Sequence, residues 1–298
     1  MSLKSAFLLI VLFCSIGFRA HGSAPDSAQA VMLIRCDDLG MCHAVNMAAK
    51  QVFESGIPVS VSVMFACPWY QEAIDLLRQH PNVSVGIHLT LNAEWKNYRW
   101  GPVAGKSAVP SLVDSVGYFF PSRASFFANK PRLDEIEKEL RAQIERALHS
   151  GLQIDYLDYH MGTAVDKPEL RSLVESLAKE YGLAISRYFD EVDVNGVYGA
   201  PPASKLDTLL SKTKELPTSR INLMVFHIGL QSPEMDALVD MNSFGLSEMS
   251  KHREAELKAL LSPQLRDLLN SERVQLTTYR DLVKKFGLKS MKRPAEKE

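Results

Sequence analysis

Four short apolar runs in this chain each stop at residues able to bind a metal or move a proton, and this layout constrains the fold more than any other feature. The runs end at Asp37-Asp38 in I-R-C-D-D-L-G, His88 in G-I-H-L-T, His160 in D-Y-H-M-G and His227 in F-H-I-G. A single histidine after a strand is most often a satisfied core residue. Four such clusters, tens of positions apart, describe parallel strands whose carboxyl ends gather at one site.

The intervals between the runs carry helical spacing. Residues 31–36 read as a buried strand leading into a turn, and residues 43–56 as a helix with Val45, Ala48, Ala49, Val52 and Phe53 on one side, stopped by Gly56. Residues 59–65 are a second strand, a helix opens at Pro68 and ends before Pro81, and residues 83–89 are a third strand. Residues 133–150 predict an amphipathic helix whose stripe is Leu133, Ile136, Leu140, Ile144, Ala147 and Leu148. Strands follow at 155–160, 183–187, 221–227 and 274–278, with helices at 168–181, 248–261 and 263–269. This alternation predicts an α/β chain, a single-domain distorted or incomplete (β/α) barrel that is TIM-barrel-like, in preference to an open doubly wound sheet.

Residues 92–131 break the rhythm. They hold Trp95, Tyr98 and Trp100 and then Tyr118-Phe119-Phe120, and a loop of this length is expected to pass over the active face. Trp95, Tyr98 and Trp100 are candidates for stacking on sugar rings, with core packing beneath the loop as the competing role.

At 298 residues with 46% hydrophobic composition, the chain can bury the core of one large domain or two ordinary ones. A formal charge of -1 offers no basic surface for nucleic acid or an anionic membrane. Lys4, the apolar run over residues 6–13 and the small residues Ala20, Gly22 and Ala24 mark residues 1–22 as a secretory signal peptide. The run is short of the roughly 20 residues a spanning helix needs. The mature protein is therefore expected to be secreted or periplasmic, without stable membrane insertion. Cleavage removes two of the 34 basic residues and none of the 35 acidic ones, moving the net charge from -1 to -3. The folded domain is expected over residues 25–288, with residues 289–298 as a charged, disordered tail. Cys36, Cys42 and Cys67 form no C-x-x-C pair and read as small hydrophobes.

Two adjacent carboxylates at one strand end can divide two tasks, one binding a metal and the other accepting a proton. Imidazoles from other strands complete a three-ligand site with an open position, and a further histidine can protonate a leaving group. The bland reading of Asp-Asp-Leu-Gly is a turn with a helix cap. Asp158 is either structural or an acceptor that orients His160. His43 is left open between a helix and a site role, while His21, His80, His149 and His252 read as surface or helix residues.

Together, I-R-C-D-D-L-G with A-V-N, G-I-H-L-T-L-N-A-E-W, Y-L-D-Y-H-M-G-T, F-H-I-G-L and H-R-E-A-E-L-K-A-L resemble the YdjC-like (ChbG-type) carbohydrate deacetylase family, in order and across nearly the whole mature chain. The resemblance implies a distorted β/α barrel binding a divalent metal, magnesium first and zinc as the alternative. It implies removal of N-acetyl groups from amino sugars such as chitooligosaccharides by metal-activated water. By position, Asp37 would be the general base, Asp38, His88 and His160 the metal ligands, and His227 the general acid. Arg253 would support a site carboxylate. The chain departs from the family at His160-Met161-Gly162, where many relatives carry a second histidine, and at His227-Ile228-Gly229, where relatives read His-Pro-Gly.

The expected partner is a small carbohydrate, with no nucleic acid, and homodimer formation stays open. Two rivals are kept: a glycosidase using Asp37 with Glu94 or Asp158, and a non-catalytic carbohydrate-binding protein.

Overall fold

The computed structural model describes residues 29–194, 196–271 and 273–295. The expected signal peptide lies outside them. The chain runs through β1 (Ala30–Leu39), α1 (His43–Glu54), β2 (Ser60–Val63), α2 (Tyr70–Gln79) and β3 (Ser84–Leu89). It continues with α3 (Arg123–Ala128), α4 (Leu133–His149), β4 (Ile154–Tyr159), α5 (Pro168–Tyr181), β5 (Ala184–Ile185) and β6 (Glu191–Asp193). The last part holds α6 (Lys205–Lys214), β7 (Ile221–Phe226), α7 (Pro233–Asp236), α8 (Met249–Leu260), α9 (Pro263–Leu269), β8 (Val274–Thr277) and α10 (Tyr279–Phe286).

All the strand pairings are parallel, in the order β5-β4-β3-β2-β1-β7-β6. The eighth strand, β8, pairs with the first residues of β1, while β2 pairs with its later ones. The sheet's outer strands, β5 and β6, are consecutive in sequence but share no ladder, so the curled sheet is a barrel left open at one seam. A turn spans that seam, with Glu191 accepting the backbone N–H groups of Arg187 and Phe189. This is the incomplete (β/α) barrel expected from the alternation.

Strand periodicity sorts β1 into two faces. Met32, Ile34 and Cys36 join the large cluster packed with the helices, whereas Leu33 packs inside with Tyr156, Leu223 and Tyr279. Arg35 and Asp37 continue the inner face above Leu33. The interior thus changes from apolar at the amino end of the strands to charged at the carboxyl end. Gly86 is part of this filling: a Cβ there would lie 2.3 Å from the Tyr156 ring, so only glycine fits opposite that tyrosine.

Helix α4 differs from the simple amphipathic expectation. Leu133 and Leu148 are exposed, while Glu135, Glu139 and Gln143 are buried. Glu139 accepts the N–H groups of Val103 and Ala104, each at 2.9 Å, and Glu135 accepts that of Ser111 at 2.7 Å. Gln143 bonds both main-chain groups of Thr90, just past β3. The long excursion after β3 needs acceptors for its covered backbone, and α4 supplies them. The tail also differs from expectation. Leu288–Ser290 form a 3-10 turn, Met291 packs against the core, and Lys292 N–H donates to Tyr188 O at 2.9 Å, so order extends past residue 288.

Candidate active site

The charged end of the barrel opens into a cleft of about 950 Å³, within the range of small-molecule sites. Its floor is set by strand register. β3 and β4 pair His88 opposite Asp158, and His88 Nδ1 donates to Asp158 Oδ2 at 2.7 Å. His160 lies two residues beyond Asp158, on the same face, immediately after β4. His227 follows Leu223 and Val225 at two-residue steps, and all three line the cleft.

Asp37 and Asp38 should face opposite ways by strand alternation, yet both reach the site. The register of β1 against β2 shifts between Cys36 and Leu39, and Asp38 adopts φ 66°, the left-handed region that aspartate tolerates better than most residues. This bulge turns Asp38 inward beside Asp37. Met161 and Gly162 are also left-handed, at φ 53° and 73°. The position where many relatives carry a second histidine is one whose backbone here favours glycine.

Three atoms converge at the centre. Asp38 Oδ1 lies 3.4 Å from both His88 Nε2 and His160 Nδ1, and the two imidazole nitrogens are 3.3 Å apart. Each imidazole is oriented by its other nitrogen: His88 donates to Asp158, and His160 Nε2 donates to Glu94 Oε2 at 3.0 Å. A carboxylate only accepts, so these bonds place the ring protons outward and leave lone pairs facing the centre. Asp38 Oδ2 accepts from Arg253 at 2.6 Å, but its Oδ1 is buried without an aligned donor. Three acceptors facing one point fit a cation.

The electrostatics agree. Burial opposes charge on His88, but Asp158 and Asp37 outweigh it and raise its pKa to about 9. For His160, burial is outweighed by Glu94 and Asp38, which raise it to about 10. Burial would raise Asp38, yet Arg253 and the two histidines hold it well below the usual carboxylate range. The site draws positive charge to this point, as protons or as a metal ion. Asp37, His88 and Asp158 form a second possible ligand group. In that group, however, both Asp37 oxygens already accept from Arg35 at 2.7 Å, and Asp158 Oδ1 is ion-paired to Arg35 at 2.8 Å.

The remaining expected residues divide. Asp158 bonds His88 rather than His160, whose partner is Glu94, and Arg253 donates to Asp38 Oδ2. Trp95 lines the cleft beneath the Arg253 guanidinium, 5.9 Å from the ring centre. Tyr98 and Trp100 do not line it: the Tyr98 hydroxyl donates to Met41 O, and the buried Trp100 indole donates to Asn92 O at 2.8 Å. Both hold the loop in place. Exposed aromatic surface at the rim comes instead from Tyr198 and Phe244. His43 is outside the cleft, bonded to Glu72. Arg35 escaped the sequence reading, although a cation two residues before Asp37 on a strand must share its face. In the sequence Glu94 reads only as a glycosidase carboxylate, whereas in the fold it is the partner of His160. Cys36, Cys42 and Cys67 are buried free thiols, away from any ligand role.

Comparison with known proteins supports the shared architecture. Over 260 residues the chain is 26% identical to a carbohydrate deacetylase of Brevibacillus brevis, covering 84% of this chain and 99% of that protein. It is 30% identical over 265 residues to a carbohydrate deacetylase of Thermus thermophilus, covering 81% and 90%. A crystal structure from Enterococcus faecalis, provisionally described as a cellobiose-phosphate cleavage protein, superposes with a TM-score of 0.68 at 22% identity, over 85% of this chain and 99% of the other, and shows the same fold. Residues 31–271 match the family model described as YdjC-like protein, and the chain therefore belongs to the YdjC-like family.

Proposed function

We propose that this protein is a metal-dependent hydrolase that removes N-acetyl groups from amino sugars. The observation that carries the reading is the meeting of Asp38 Oδ1, His88 Nε2 and His160 Nδ1 at the floor of a large cleft, where among the described residues Asp38 Oδ1 is buried with no aligned donor. A divalent cation held there would polarise the acetamide carbonyl and make water more acidic. Two imidazoles and a carboxylate suit zinc or a neighbouring transition metal better than magnesium, which prefers oxygen ligands, so the order of preference from sequence is reversed.

Asp37 accepts the proton of the attacking water. Arg35 holds both Asp37 oxygens, which fixes the carboxylate's direction, and each oxygen keeps a further lone pair for water. Arg35 also pairs with Asp158, so one buried guanidinium ties the base to the group that orients His88. His227 donates a proton to the amine nitrogen as the C–N bond breaks. Tyr198 and Phe244 at the rim offer exposed apolar faces to a sugar ring, while the buried Trp95 packs beneath Arg253.

A two-carboxylate glycosidase fits less well. It needs one acid kept protonated. Burial would favour that for Asp158, but Arg35 and His88 overcome it and hold this carboxyl below its usual range. Glu94 lines the cleft, but its Oε2 is held by His160 Nε2 at 3.0 Å. Export to the periplasm or medium is also proposed, on the leader-like residues 1–22; amino-terminal sequencing of the recovered protein tests it.

The deciding experiment measures acetate release from N-acetylated chitooligosaccharides by protein stripped of metal and reloaded with zinc or magnesium. Release that returns with metal and is lost in Asp37→Asn supports the reading. Sugar binding without release in every metal state would replace it with a carbohydrate-binding role, and glycan cleavage that survives chelator would favour the glycosidase.

A further inference from the structure

Among the described residues, one fully buried cation lies outside the chemistry described so far. Lys205, at the start of α6, is fully buried, and its ammonium donates to Glu256 Oε1 at 2.8 Å and to the carbonyls of Val197 and Tyr198, each at 2.9 Å. All three donors are used. Glu256, on α8, is 1% exposed, and its second oxygen accepts the backbone N–H of His227 at 2.6 Å. Tyr198, whose carbonyl Lys205 holds, packs its ring edge-on against the His227 imidazole, with centroids 5.0 Å apart. The pair therefore grips both sides of one histidine.

That histidine lacks the support its counterparts have. His88 and His160 each have a carboxylate on the ring, whereas His227 Nδ1 is buried without a partner among the described residues. Its placement rests on its main chain and on the Tyr198 ring. A buried ion pair is a weak source of stability and is often replaceable by apolar side chains without loss, so its presence here calls for a positional reason.

We propose that Lys205 and Glu256 are positioning residues for His227, setting the backbone of the proton donor and the wall against which its ring stands. The inference rests on the deacetylase reading for its consequence, because only a reaction with a poor leaving group needs the acid in place. An amide nitrogen must be protonated as it departs; a nitrophenolate need not be.

The test uses the metal-loaded full chain and compares N-acetylchitooligosaccharide with 4-nitrophenyl acetate. Glu256→Gln and the paired Lys205→Met/Glu256→Gln variant, which avoids stranding a lone buried charge, are expected to lower kcat for the amide roughly tenfold to a hundredfold with little change in KM. Ester hydrolysis should fall far less, and Lys205→Arg should recover part of the amide rate. Equal loss on both substrates would reduce the pair to a structural role, and unchanged amide kinetics would remove it altogether. Imidazole NMR of His227, assigned with His227→Gln, gives a readout that does not depend on turnover. Its titration midpoint or linewidth should change in the paired variant while that of His149 does not. Should the wild-type protein release no acetate, the deacetylase reading fails, whereas an unchanged His227 signal overturns the positioning claim itself.

Discussion

The two halves of the cleft hold their histidines by different means. On the side proposed to bind metal every inward atom has a charged partner behind it: Asp158 for His88, Glu94 for His160 and Arg253 for Asp38. Opposite, His227 has no carboxylate on its ring among the described residues and is held through main chain and a tyrosine edge. The difference suits the proposed tasks. A ligand needs one tautomer and a fixed lone pair, which a carboxylate on the other nitrogen secures. An acid must release its proton at the reacting atom, and a carboxylate on its ring would strengthen its hold on that proton.

The largest effect should come from the metal-binding half. Asp38→Ala removes the shared carboxylate and leaves Arg253 buried without its partner, so metal binding and acetate release should vanish and stability should fall by about 3–5 kcal/mol. Calorimetry with and without zinc checks both. Asp38→Asn, which tolerates the left-handed backbone, should lose the metal at a smaller cost in stability. His227→Ala should lower kcat by about 10²- to 10⁴-fold while leaving zinc affinity as it was. A parallel fall in zinc affinity would erase the distinction between the halves. Asp158→Asn and Glu94→Gln should weaken metal affinity about 10- to 100-fold, measured by competition with a chelating dye.

The smallest effect is one of pH. In metal-free protein, His88 and His160 titrate near 9 and 10 against an ordinary value of 6.5, because Asp158 and Glu94 outweigh burial. Raised folded values mean that their stabilising contribution is complete below about pH 6.5 and is lost as pH climbs through 9 and 10. The metal-free melting temperature should therefore decline over that window. Zinc displaces the same protons, so the difference between loaded and stripped protein should widen as pH rises. A flat difference would mean that the histidines are not the ligands.

Much of this was legible because strand ends announce themselves. Apolar runs closing on Asp37, His88, His160 and His227 point to the barrel and to residues that line one cleft, since a two-residue period and parallel pairing leave few other arrangements. Harder to read were groups whose role depends on distant partners. Glu139 and Gln143 look like the solvent side of a helix until the loop they bond is in place. Tyr98 and Trp100 look like sugar platforms until their polar atoms find main-chain acceptors. Lys205 and Glu256 lie 51 residues apart, and nothing in either local sequence signals a buried pair. The inward turn of Asp38 depends on a bulge, which alternation alone does not foresee.

Helix α8 carries both Arg253 and Glu256, one reaching the carboxylate on the metal-binding side and the other the backbone of the opposing histidine. They are three residues apart, about 4.5 Å of helical rise and on neighbouring faces. The helix can sit this close because Gly229, two residues past His227, has no side chain; a Cβ there would come within 3.2 Å of the Arg253 Cβ. It acts as a gauge block wedged across the mouth of the barrel, and its length is the calibrated distance. A substitution that slides or bends this one helix would mis-space both halves together, even with every residue in the cleft intact.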